Sequence, residues 1–164
     1  MPGFNGAPIV VTLHSSRLVA FPALSRHNHR VTSPETPNYN CVAYVAGDTT
    51  RWWWPDNNNY WPPGITRDPA DTQSFVEAFA ALGYSICTDG ALEAGFQRIV
   101  IFVHPDGQPT HAALQLETGK WSSKLGRCED IEHDSEHDVE GSCNYCYGYA
   151  RIYMRRIRAT QEAT

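Results

Sequence analysis

Apolar and polar positions alternate with three distinct rhythms along this chain. Phe75, Val76, Phe79 and Leu82 recur at helical spacing after Asp68-Pro69-Ala70-Asp71, either aspartate can cap the start and Gly83 closes the end, so this stretch predicts a core helix. The unbroken run in Gln97-Arg98-Ile99-Val100-Ile101-Phe102-Val103 predicts a buried strand instead. Pro105-Asp106-Gly107 supplies its turn, Thr110 to Leu116 its partner, and after Glu117-Thr118-Gly119 a third strand starts over Lys120 to Ser123. A shorter pattern, Val42, Tyr44, Val45 and Ala46, predicts one or two buried helical turns closed by Gly47, with Cys41 in the first turn. Weaker signals suggest short strands at Ile9 to Leu13 and Tyr84 to Cys87, and a short helix over Ser16 to Leu24 broken near Pro22. They also suggest a final strand or helix over Tyr147 to Ile157, its Tyr147, Tyr149, Ile152 and Tyr153 facing inward. Helices followed by an antiparallel meander give an α+β class.

At 164 residues, with 41% apolar and 19% charged positions, the chain suits one domain spanning 1–164, with flexible ends at 1–8 and 159–164. The net charge of −5 argues against a general nucleic-acid binder, which needs a basic surface. The Arg-rich stretch from Arg151 to Arg158 reads as an exposed terminal element. No signal-peptide pattern and no run of membrane-spanning length are present, so synthesis in the cytoplasm without membrane insertion is expected, leaving room for export by a signal-independent secretion system. Five cysteines, an odd number, suit free thiols or metal ligands better than a closed set of disulfides.

A thiol in the first turn of a helix lies near the positive end of the helix dipole, which favours thiolate and a nucleophilic role for Cys41. On the Thr110 to Leu116 strand, His111, Ala113 and Gln115 share one face while Ala112, Leu114 and Leu116 share the other. Small Ala113 beside His111 would let the Cys41 helix pack there and bring the thiol to the imidazole. His27 and His29 read as solvated loop residues. Between them and the helix pattern, Arg51-Trp52-Trp53-Trp54-Pro55-Asp56-Asn57-Asn58-Asn59-Tyr60-Trp61-Pro62-Pro63-Gly64 predicts a long ordered loop that packs over the domain or walls a groove. Trp53, Trp54, Tyr60 and Trp61, with Trp121, are the substrate-contact candidates.

A cysteine opening a helix, a further helix, and a hairpin whose second strand begins His111-Ala112-Ala113 before Thr118-Gly119-Lys120-Trp121 together resemble the papain-like cysteine hydrolases. Compact bacterial cell-wall peptidases and CHAP amidases are the nearest in layout. The resemblance implies Cys41 as nucleophile and His111 as general base. It implies a polar orienter on the next strand, here Ser122 or Ser123, with Gln115 as competitor, and an oxyanion donor from the Cys41 amide with Asn38 or Asn40. The chain is also similar, over roughly 38–150, to an uncharacterised family of bacterial domains. That similarity rests on Tyr39-Asn40-Cys41, Trp53-Trp54-Pro55, Tyr60-Trp61-Pro62, His111-Ala112-Ala113, Trp121-Ser122-Ser123-Lys124-Leu125-Gly126 and Ile131-Glu132-His133, and it implies no activity.

The acidic segment from Cys128 to Cys146 carries a competing chemistry. Cys128, His133, His137, Cys143 and Cys146 suffice for a structural zinc site, although one Cys-x-x-Cys is only half of the usual signal and a solvated acidic loop or a Cys143–Cys146 disulfide would use the same residues. The leading expectation is a cysteine hydrolase or acyl transferase acting on an amide bond of a peptide, a peptidoglycan stem or a protein glutamine. It needs no cofactor, and as a bacterial effector or toxin it would have an immunity or partner protein. The alternative is a non-catalytic binding or inhibitory module that presents the Trp/Tyr/Asn loop.

Overall fold

Seven strands form one antiparallel sheet in the order β1-β6-β5-β4-β3-β7-β2, in a computed structural model that describes residues 10–158. The strands are β1 (His29–Ser33), β2 (Ser85–Cys87), β3 (Phe96–Val103), β4 (Pro109–Gln115), β5 (Trp121–Lys124), β6 (Asp130–His133) and β7 (Tyr149–Ile157). Three helices, α1 (Ser15–Leu18), α2 (Cys41–Ala46) and α3 (Thr72–Ala80), and one 3-10 turn (Glu136–Val139) complete the order. Among the described residues no helix is long and apolar enough to cross a membrane.

Alternation along β3 sends its side chains into two separate cores, because successive residues of a strand point to opposite faces. Ile99 and Ile101 pack with α2, α3 and the tryptophan loop, in a cluster that holds Cys41, Val42, Trp53, Trp61, Phe75, Phe79 and Ala112. Val100 and Phe102 pack on the other face with Leu13, Phe21, Ala113, Trp121, Ile131 and Val139. Burial on both faces explains why β3 reads as an unbroken apolar run rather than as an alternating one. Truncating Phe75 or Phe79 in this core would cost about 3–5 kcal/mol.

The predicted elements survive with shifted ends. The α3 helix is capped by Asp71, whose side chain accepts from the Gln73 N–H. Val10 to Leu13 is not a strand, and Ile9 lies outside the described residues, as do both segments expected to be flexible apart from their neighbours. The Ser16 to Leu24 helix shrinks to the single turn of α1. Two strands, β1 and β6, fall where polar loops were expected; β6 pairs with β5 and carries β1 as one edge of the sheet. His29 is accordingly not a solvated loop residue: buried in β1, it accepts from the Leu13 N–H through Nε2, while His27 stays exposed. Nor is the Arg-rich terminus an exposed appendage. As β7 it lies between β3 and β2, with Arg155 paired to Glu93 and Arg156 over the Tyr84 ring.

Candidate functional site

Asn40 is the hinge on which the site is built. Its side-chain oxygen caps α2 by accepting from the Ala43 N–H and also accepts from the Trp53 N–H, while its amide donates to the Trp53 carbonyl at 2.7 Å. Cap and tryptophan loop are thus joined by one buried side chain. The loop is closed by backbone bonds between Trp54 and Tyr60 and between Tyr60 and Trp52, and the Asp56 carboxylate accepts from the Asn58 and Asn59 N–H groups. Between α2, this loop, the start of β4 and the turn after β5 lies a cleft of about 220 Å³ lined by Asn40, Cys41, Trp52, Trp54, Asp56, Asn59, Thr110, Gly126 and Tyr147.

Cys41 sits at the floor of that cleft, 5% exposed. Burial pushes its pKa up to about 11, overriding the amides of Ala112, Val42 and Cys41 and the charge of Lys124, all of which favour thiolate. The expected dipole-driven depression of the pKa is therefore reversed, because a six-residue helix offers little field against complete desolvation. The helix packs on the Ala112 face of β4, not on the Ala113 face proposed from the small side chain: Ala112 shares the Cys41 cluster and Ala113 belongs to the other. This places the thiol beside the backbone amide that follows His111.

The His111 ring lies on the far core, 5.1 Å from Phe102 and stacked on Tyr147 at 4.0 Å with the planes parallel. A bulge makes Thr110 an extra residue in β4, and its hydroxyl donates to the Tyr147 carbonyl. Gly148 then turns the chain so tightly that a Cβ there would meet the Val103 carbonyl at 2.2 Å, and its φ of 74° suits only glycine. These contacts hold Tyr147 over the imidazole.

A hydrogen-bonded relay fixes the protons of that imidazole. His133 Nδ1 lies 2.8 Å from the Ser135 carbonyl, which can only accept, so Nδ1 carries the proton. Burial lowers the pKa of His133, leaving the ring neutral with a lone pair on Nε2. The Ser123 hydroxyl, 2.8 Å away, donates to that lone pair and in turn accepts from His111 Nε2 at 3.0 Å. Burial and then His133 hold His111 well below the usual histidine pKa, so it too is neutral. Its remaining nitrogen, Nδ1, is a bare acceptor, buried and without any hydrogen-bond partner, the Cys41 sulfur included.

Of the other candidates, Ser123 is the one hydrogen-bonded to the His111 ring and Gln115 is not: the Gln115 amide donates to the Gly90 carbonyl. Ser122 bonds the Tyr44 hydroxyl on the opposite face. Asn40 is committed to its cap and to Trp53, and exposed Asn38 is not among the cleft residues, so neither side chain is free to face the cleft as the resemblance implies. Trp54 lines the cleft as expected. Trp53, Trp61 and Trp121 are core, the last on the far face, and Tyr60 packs edge-on to Trp53 under the Arg51 guanidinium.

The five zinc candidates do not converge, and among the described residues no group of three or more potential ligands forms. Cys143 and Cys146 are a disulfide, Cys128 accepts from Arg17, His137 pairs with Glu140, and His133 ends the relay. The sequence does not single out Trp52, Asp56 or Tyr147 as cleft residues, and it leaves His133 open as a metal ligand, a hydrogen-bonding anchor or a residue near the cleft. The turn-forming Asp56-Asn57-Asn58-Asn59 was the one available signal for Asp56.

No curated protein and no solved structure matches this chain. One family model does, over residues 30–155, so the chain belongs to the family described as Domain of unknown function (DUF7689).

Proposed function

We propose that this protein is a cysteine-dependent hydrolase or acyl transferase acting on an amide bond, built on a papain-like layout. The observation that carries the reading is the bare, buried Nδ1 of His111, set by a relay that ends on a backbone carbonyl, on the same strand whose Ala112 amide favours the Cys41 thiolate. A base needs this lone pair. In this reading the His111 ring turns from its packing on Phe102 and Tyr147 toward the Cys41 side of β4 and takes the thiol proton; the thiolate attacks the amide carbonyl, and the imidazolium returns the proton to the departing amine as the thioester forms. The relay holds the tautomer but brings no carboxylate to the ring, so the imidazolium is stabilised less than in a Ser-His-Asp triad. Peptides, peptidoglycan stems and protein glutamines all fit a cleft open to the surface, and a toxin or effector with an immunity partner fits such a substrate range.

A second reading is favoured by the raised Cys41 pKa and the missing thiol–imidazole hydrogen bond: a binding module that uses the same cleft without turnover. Mass-spectrometric assays on purified peptidoglycan and on a mixed peptide pool separate the two. Products from the native chain that vanish in Cys41→Ala and fall about 100-fold or more in His111→Gln support the enzyme. Equal products from Cys41→Ala, or none from the native chain, remove it.

A further inference from the structure

Among the described residues Asp56 is the single charged one that lines the cleft, and Trp52 and Trp54 line it as well. Its carboxylate is held rather than loose. Oδ1 accepts from the Asn58 N–H, the Asn59 N–H and the Asn59 side-chain amide, and Oδ2 takes only the Asn59 amide, at 2.9 Å. Partial desolvation would raise the pKa, but these hydrogen bonds outweigh it and keep the group ionised. One oxygen is therefore saturated by the loop while the other keeps free lone pairs. Arg67 donates to the Asp56 backbone carbonyl and leaves the carboxylate oxygens alone.

The indoles beside it are suited to a cation. The faces of indole rings attract ammonium and guanidinium groups through their quadrupole, most strongly where water is partly excluded. The chain itself shows this on the cleft rim: the guanidinium of exposed Arg127 sits over the Trp52 ring, 5.8 Å from its centroid. A net charge of −5 adds a general attraction for positive ligands.

We propose that the cleft selects an ammonium group, with Asp56 Oδ2 as its counter-ion and Trp52 and Trp54 as its walls, so that the substrate carries a primary amine close to the amide that Cys41 attacks. Asp56 is then a specificity-determining residue, and the chain's own Arg127 competes weakly for the Trp52 face. The inference rests on the hydrolase reading only for the amide; the amine subsite stands on the cleft alone.

The test therefore uses binding to the full Cys41→Ala chain, with n-pentylammonium as probe and n-pentanol as its neutral counterpart, followed by tryptophan fluorescence and by chemical-shift perturbation. Preferential binding of the ammonium is expected, weakened at least tenfold by Asp56→Asn and strengthened severalfold by Arg127→Gln, with pentanol binding unchanged by Asp56→Asn. Equal binding of the two probes, or ammonium binding indifferent to Asp56→Asn in a variant that keeps its native thermal midpoint, would overturn it. Ammonium binding by a chain that turns over no amide would sink the hydrolase and leave this subsite intact.

Discussion

Acid should unfold this protein earlier than its carboxylates alone require, and the two relay histidines set how much earlier. His111 and His133 are both buried and neutral, with pKa values held below the usual 6.5. In the unfolded chain each titrates near 6.5, so below that pH the unfolded state binds protons that the native state refuses. Their contribution is complete above pH 6.5 and is lost as pH falls from there toward the folded-state values. A group in this window changes stability by up to about 1.4 kcal/mol per pH unit. His111 lies well below 6.5, so from pH 6.5 to 5.0 it alone removes between about 1 and 2 kcal/mol at most, and His133 adds to this. Two neighbours act in other senses. Burial raises the pKa of Asp130, which gains a proton more readily when folded and opposes the loss at the acid end. His137 is raised by Glu140, so its share is present below 6.5 and fades at higher pH. Urea unfolding at pH 7.0, 6.0 and 5.0, read by tryptophan fluorescence, measures the slope. His111→Gln should be less stable at pH 7 yet lose less between pH 6.5 and 5.0, by between about 1 and 2 kcal/mol at most. An identical slope in native and variant chains would refute the assignment of a neutral, proton-refusing imidazole at position 111.

Two further outcomes follow from the same geometry. With its pKa near 11, Cys41 should be alkylated by iodoacetamide after the more exposed Cys87 and Cys128, at a rate that rises about tenfold per pH unit between pH 8 and 10. Peptide mapping that finds Cys41 modified first at pH 6 to 7 would contradict a neutral resting thiol. Replacing Cys143 and Cys146 by serine opens a four-residue ring directly before Tyr147, and should cost about 2 kcal/mol of unfolding free energy on the chain-entropy account. An unchanged urea midpoint would show that the bridge restrains nothing.

Periodicity made some of this fold readable and left other parts hidden. The α3 helix and strands β3 to β5 show because each keeps one face or both in a continuous core, so their apolar spacing is dictated by geometry. The β6 strand does not show: in Asp130-Ile131-Glu132-His133 the inward positions are Ile131 and His133, and a buried polar residue erases the alternation. Cys41 and His111 were legible as candidates from their residue types and local context. Which face each takes was not, because Ala112 and Ala113 are equally small and the sequence cannot choose between them. Asp56 and Tyr147 reach the cleft only through a loop bond and a glycine turn far from Cys41 in sequence, so no local pattern marks them. The Cys/His segment misled for a related reason: ligand-like spacing is necessary for a metal site, but the disulfide and the relay use the same residues.

Position 40 is more narrowly constrained than helix-cap chemistry alone would make it. Aspartate is as good a cap as asparagine, but it has no hydrogen to offer the Trp53 carbonyl and would set two oxygens against each other across a 2.7 Å gap. Serine caps as well, yet its one hydroxyl cannot answer both the N–H and the carbonyl of Trp53. The segment that carries the sulfur and the wall that would grip a ligand therefore share one fastening, and a change at this position would loosen both together.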